Sequence, residues 1–272
     1  MGFSTKAKFE TYSKKDSRLE KTLGVKDFLA LGVGTIISTS IFTLPGIVAA
    51  QFAGPAVVFS FLIAAVVAGM VALAYAEMAS VMPFAGSAYS WISVLFGEGF
   101  GWIAGWALLA EYFIAVAFVG SGFSATFQHI LATSNIHLPA ALAHPLGTNG
   151  GIVDIISLIV ILIATLLVWR GSNDAGIIAQ ILVVLKIIAI ITFIVVGLTV
   201  IKPQNYTPFI PKHNPTTGFG GVSGILSGVS MIFLAYIGFD SIAANSAEAK
   251  NPKRTMPLGI VGSLIIAVVL FS

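Results

Sequence analysis

Seven apolar stretches alternate along the chain with short segments carrying charge, proline or glycine. They cover residues 27–50, 55–81, 100–131, 151–169, 174–201, 221–245 and the run that begins at 258. Each of the first six is near the ~20 residues that carry a helix across a bilayer. The pattern predicts an all-α polytopic membrane protein. Along the second stretch Ser60, Ala64, Ala68, Ala72, Ala76 and Ser80 recur at every fourth position, giving one smooth face for close helix packing. Gly97, Gly101 and Gly105 repeat that interval at the start of the third. Residues 83–99 are expected to hold a short helix along the inner surface, with Tyr89 and Trp91 at headgroup level. The last stretch, from Leu258, is about 15 residues or about 22 Å of helix, short of a core about 30 Å thick, so the chain reads as the front part of a longer protein.

Composition excludes a soluble domain: 57% of residues are hydrophobic, 9% are charged and the mean hydropathy is +0.98. The chain has no cysteine, which removes disulfides and thiolate chemistry together. A pI of about 9.1 reflects topology and not nucleic acid, because the basic residues flank the spans. The tail of residues 1–26, expected to be mobile and cytoplasmic, carries Lys6, Lys8, Lys14, Lys15, Arg18, Lys21 and Lys26. With Arg170, Lys250, Lys253 and Arg254 the inner segments hold eleven of the fourteen Lys and Arg, against two in the outer loops. Metal-ligand spacing is lacking among His129, His137, His144 and His213, and the hydrolase, zinc-protease and phosphate-loop signatures are missing. No cofactor and no enzyme is therefore expected.

The first stretch contains GVGTIISTSIFTLPG, residues 32–46, whose glycines, hydroxyls and Pro45 weaken a helix in its middle. Main-chain groups released there need a partner in hydrocarbon, which a zwitterionic ligand supplies; Ser and Thr bonding back to their own carbonyls is the simpler alternative. Ionisable residues within spans are costly and mark function. Counting about 1.5 Å per residue, Glu111 lies about 16 Å into the third span, Lys186 about 18 Å into the fifth and Ser38 to Ser40 about 17–20 Å into the first. Ala235 to Gly238 in the sixth falls about 21–26 Å from the outer side. Four segments thus bring polar groups or breakable backbone to one level. Lys186 and Glu111 paired structurally is the competing reading. Glu77 near an inner end reads as structural, and Asp154 as a helix N-terminal acid.

GVGTIISTSIF with LPG, GWALLAEY, the lone Lys186, and FLAYIGFD followed by EAKNPKRTMP resemble the amino acid–polyamine–organocation transporters, nearest in look to bacterial cationic amino-acid transporters. The resemblance implies a LeuT-like fold of inverted five-helix repeats with spans one and six discontinuous. Residues 27–201 correspond to the first repeat, 202–219 to an extracellular loop and 220–272 to the start of the second; the remaining C-terminal spans of the same protein would be its partners. It implies uptake of an amino acid, a small-molecule substrate, across the cell membrane, coupled to protons. By position, Ile37, Ser38, Thr39, Ser40 and Ile41 would bind the substrate carboxylate through backbone N–H groups. The carbonyls of Leu234, Ala235, Ile237 and Ile37 would take its ammonium, and Glu111 and Asp240 would flank the side-chain pocket. Lys186 matches the family lysine standing where sodium-driven relatives hold a cation. Two departures bear on the substrate: Ser38 and Ser40 replace family glycines, and Ala107 and Ala247 replace acids, which weakens the case for a dibasic substrate. An exchanger of the same fold is an alternative within the class. Outside it stand a retinal-type seven-span protein, with Lys186 as the Schiff base, and a non-transporting receptor or scaffold.

Overall fold

The computed structural model describes residues 6–38, 40–170 and 172–271. Among them all regular elements are helical, apart from an isolated parallel bridge between Leu23 and Ala249. The chain divides into two compact units, residues 1–106 with 182–272, and residues 107–181.

The first unit opens with α1 (Phe9–Asp16), α2 (Val25–Ile36), α3 (Ser40–Val48), α4 (Val57–Val81) and α5 (Ser87–Leu95). A π turn at Ala49–Ala53 and a 3-10 turn at Gly54–Ala56 lead from α3 into α4. Helix α6 (Glu98–Thr133) begins in the first unit and continues into the second, which also holds α7 (Ala140–Ala143), α8 (Ile155–Arg170) and the start of α9 (Ser172–Val200). The rest of α9 returns to the first unit, followed by α10 (Gly221–Phe233), α11 (Phe239–Ala244) and α12 (Pro252–Phe271). Five stretches among the described residues are long and apolar enough to cross a membrane: Ser40–Val81, Glu98–Thr133, Gln180–Val200, Gly221–Ala244 and Pro252–Phe271. Helix α8 is shorter, its apolar part being Ile155–Trp169. This is a multi-pass membrane protein.

The core of the first unit forms where α4 meets α10 and α12, and α12 meets α2. The every-fourth-residue face of α4 lies at that junction. Ser60, Ala64, Ala68 and Ala72 have no exposed surface and Ala76 has 3%. Side chains this small let backbones approach, and Ser60 donates its hydroxyl to the Ile225 carbonyl of α10 at 2.8 Å. Ser80, half-buried at the end of the row, turns its hydroxyl back to the Ala76 carbonyl.

Three expectations change. The tail is not a loose polar segment: α1 packs Phe9 and Tyr12 onto Phe84, and Asp16 accepts the Ala85 N–H at 2.9 Å. Two rings spaced three apart gave the tail an anchoring face that its charge obscured. Trp91 is 4% exposed and donates its indole N–H to the Met82 carbonyl, so it is a core residue and not a headgroup anchor; Tyr89 is 40% exposed. Lastly, α12 starts at Pro252 and not near Leu258. A proline in the first turn lacks only an N–H that would have no helical partner, so Pro252 starts the helix. Helix α12 then has 20 residues, about 30 Å, enough to reach across hydrocarbon.

The α4 face generates a direct test. Ala68→Leu should lower the melting temperature of the purified protein in detergent, the overpacking costing about 1–3 kcal/mol. Met70→Leu, at a position 61% exposed, should leave it unchanged. Equal melting of the two variants would contradict the packing described.

Candidate functional site

Two spans of the first unit lose their helical pairing. In the first, α2 ends at Ile36 and α3 starts at Ser40, with Ile37 at φ −76°, ψ 82°. The Ile37 N–H still reaches the Val33 carbonyl at 3.0 Å, but the Ser38 N–H turns to Ile36 at 2.8 Å and leaves the α pattern. Thr39 lies outside the described residues. In the second, α10 gives way to a 3-10 turn at Leu234–Tyr236, Ile237 is extended at φ −68°, ψ 144°, and α11 begins at Phe239.

The two breaks meet at Gly238. Its φ of 135° is open only to glycine in practice, and a Cβ there would sit 3.2–3.3 Å from the Thr35 and Ile36 backbone. The Gly238 carbonyl accepts from Ser241 at 2.6 Å and lies 3.2 Å from the Thr35 hydroxyl. That hydroxyl is shared with the Leu31 and Gly32 carbonyls of its own helix, at 3.0 and 3.1 Å.

A third segment answers the first break. From α9, Lys186 donates through Nζ to the Ile37 carbonyl at 2.7 Å and to the Gly34 carbonyl at 2.9 Å. Gly34 makes this reach possible, since a Cβ on it would press on Val183, three residues before Lys186 and so on the same helical face. The ammonium thus donates to two main-chain oxygens of the first break.

Two amide donors of the break, those of Ser40 and Ile41, are loosely held. Ser38 Oγ lies 2.9 Å from Ser40 Oγ and accepts the Ser40 N–H at 3.3 Å, while the Ile41 N–H reaches the Ser38 carbonyl at 3.4 Å. Both N–H bonds are beyond the usual 2.7–3.2 Å range. Around them, Ile37 and Ala235 are buried, Ile41 and Ile237 half-buried, and Leu234 is 61% exposed. Asp240, in the first turn of α11, is 4% exposed. Glu111 belongs to the second unit, half-buried on α6. Sequence reasoning named Gly34 only as a helix-weakening residue and Gly238 only as the end of a breakable stretch, gave neither a contact, and did not single out Thr35. The Gly-x-Gly-Thr run at 32–35 carried a signal for Gly34 and Thr35, while Gly238 stood in the stretch marked only by depth.

The second unit has its own polar cluster. Asp154 accepts the Ser157 N–H at 3.1 Å, capping α8 as expected, and also the Ser124 hydroxyl at 2.6 Å. Gln128 bonds Ser124 and the Ala143 carbonyl, beside a cavity of about 350 Å³ that His129, His137 and His144 help to line. Among the described residues no group of His, Cys, Asp and Glu is placed to hold a metal.

A family profile described as amino acid permease matches residues 23–272, taking in both breaks and Lys186. The chain belongs to the amino acid permease family. It is 75% identical over its whole length to the branched-chain amino acid permease BcaP of Lactococcus lactis, of which it covers 58%. It is 38% identical, over 98% of its length, to the methylthioribose transporter of Bacillus subtilis, covering 57% of that protein. Identity to the vacuolar cationic amino acid transporter 4 of Arabidopsis thaliana is 34%, over 93% of this chain and 42% of the relative. The chain thus spans about half the length of the curated relatives it matches.

Removing the ammonium should expose two carbonyls. Lys186→Met is expected to destabilise the first unit by about 1–3 kcal/mol. Amide exchange across residues 36–41, followed by mass spectrometry, should speed up together with a lower melting temperature. Exchange and melting equal to the parent would mean that Lys186 does not hold the break.

Proposed function

We propose that the protein containing this chain is a secondary active amino-acid transporter of the cell membrane, with its N-terminus cytoplasmic. The observation that carries the reading is the pair of mid-span breaks meeting at Gly238 with Lys186 seated on one of them. A substrate carboxylate would take the N–H groups of residues 38–41, at the start of α3 where the helix dipole favours an anion. Its ammonium would take the carbonyls of Leu234, Ala235 and Ile237, with Ile37 offering a second lone pair beside Lys186. Thr39 and Asp240 keep the roles the resemblance gives them.

The substrate is better read as an uncharged, branched-chain amino acid than as a dibasic one. Leu234 and the half-buried Ile41 offer apolar surface beside the breaks, and the relative at 75% identity is named for branched-chain amino acids. Family acids are replaced by Ala107 and Ala247. Lys186 would also carry the coupling proton. Its release leaves the Gly34 and Ile37 carbonyls without a cation and loosens the break, which ties protonation to the conformation of span one.

Two measurements on the full-length protein in liposomes test this. Uptake of labelled leucine should be competed by isoleucine and valine and little affected by arginine or methylthioribose. Competition by arginine at least equal to that by valine would return the substrate to the cationic class. Second, accumulation should increase as the outside is made more acidic, and Lys186→Ala should make uptake independent of pH. Retained pH-driven accumulation would remove Lys186 from proton coupling.

A further inference from the structure

Thr35 lies in the last turn of α2 with three carbonyls in reach of one hydroxyl. Two belong to its own helix, Leu31 at 3.0 Å and Gly32 at 3.1 Å, and the third is Gly238 of the second break at 3.2 Å. A threonine hydroxyl has one proton to donate, so these are alternatives and not three bonds. Bonding back to the preceding turn is what a helical threonine ordinarily does. Here an acceptor from the other span stands at nearly the same distance, and the proton reaches it by rotation of the hydroxyl alone.

Gly238 needs such a tie. Its φ of 135° suits glycine alone, and glycine is also the residue with the widest choice of other conformations. Ile237 before it is extended, at φ −68°, ψ 144°, and belongs to no helix. The direction of the Ile237 carbonyl therefore depends on what grips the chain just after it. Two hydroxyls meet there on the Gly238 carbonyl, Ser241 at 2.6 Å from α11 and Thr35 at 3.2 Å from span one. A carbonyl oxygen has two lone pairs and can accept both. Ser241 ties Gly238 to its own helix, and Thr35 ties it to the first break. The α2 main chain comes up to the same point, for a Cβ on Gly238 would stand 3.2 Å from the Thr35 carbonyl carbon and 3.3 Å from the Ile36 nitrogen. Ser38, where the proposed carboxylate half of the site begins, is three residues beyond Thr35 on the same span. One short stretch of main chain thus sets the spacing between the two breaks, and every α-amino acid presents its carboxylate and ammonium at one fixed separation.

We propose that Thr35 is a positioning residue for substrate binding: its hydroxyl donates across to the Gly238 carbonyl and fixes the Ile237–Gly238 peptide with the Ile237 carbonyl toward the substrate ammonium. The proposal rests on the transport reading above and adds the group that aligns the ammonium half of the site with the carboxylate half.

The Thr35 side chain is exposed, so exchanging its hydroxyl for a methyl opens no cavity in the core. In full-length protein in liposomes, Thr35→Val should raise the leucine concentration for half-maximal uptake about fivefold, the scale of one neutral hydrogen bond. The maximal rate should stay within about twofold, the mark of lost substrate binding. Thr35→Ser keeps the donor and should return the half-saturating concentration to that of the parent. A part in folding alone would lower the amount of active protein, and so the maximal rate, without moving that concentration. Equal half-saturation of Thr35→Val and parent, or Thr35→Ser behaving as Thr35→Val does, overturns the proposal and leaves the transport reading intact. A parent protein that takes up no amino acid overturns the transport reading, and the role in substrate binding with it. A second measurement is independent of uptake and serves if Thr35→Val is inactive. Amide exchange across residues 237–242 of the detergent-solubilised protein should quicken about threefold in Thr35→Val and stay at the parent rate in Thr35→Ser, since a lost tie eases local opening. Exchange equal in all three proteins overturns the bond across the breaks, and with it the proposal.

Discussion

Hydrocarbon offers no partner to a peptide group, so a helix that breaks halfway through a membrane must have its carbonyls answered from elsewhere in the protein. Lys186 does this for the first span. Its ammonium brings three donors on a long flexible stem, and two of them reach Gly34 and Ile37 from a different helix. An ion in that position would satisfy the same oxygens. The difference is that a lysine is covalently fixed, so the break is held by a group the protein itself supplies from α9.

The rest of the first unit is arranged to let that contact form. Backbones must come close: Gly34 clears the path for α9, Gly238 lets the second break touch the first, and the alanine row of α4 seats α10 and α12. Bulk at any of these points would hold apart the helices that carry the peptide groups. Small residues here do not merely raise packing density. They set the distance at which one span's main chain can be completed by another.

Much of this was legible in the sequence. A run of Gly, Ser and Thr inside an apolar stretch announces weak helix wherever it occurs, because the cause is local. A lysine among twenty apolar neighbours and a period of four in alanines are equally local signals. What could not be read was partnership. Phe9 and Tyr12 are two rings in a basic tail until Phe84 is beside them, and Trp91 is an amphipathic side chain until Met82 offers its carbonyl. Pro252 shows the other kind of miss: a pair of prolines suggests a loop, yet the first of them begins the helix and Pro257 is carried within it. Thr35, which looks like an ordinary helical hydroxyl bonding backwards, gains its further acceptor only because residue 238 arrives there.

The serines in place of family glycines fit the same physics. A glycine break leaves its amides to water or to ligand, whereas Ser38 supplies an oxygen of its own to the Ser40 N–H at 3.3 Å. That oxygen lies where the proposed reading puts a carboxylate oxygen, and the bond is long. A charged carboxylate makes a shorter and stronger bond to the same donor, so exchanging one for the other favours the ligand while sparing the empty site an unpaired amide. On the proposed reading, serine therefore trades conformational freedom for a resting state in which the Ser40 amide is already partnered, and a substrate would have only to displace a hydroxyl.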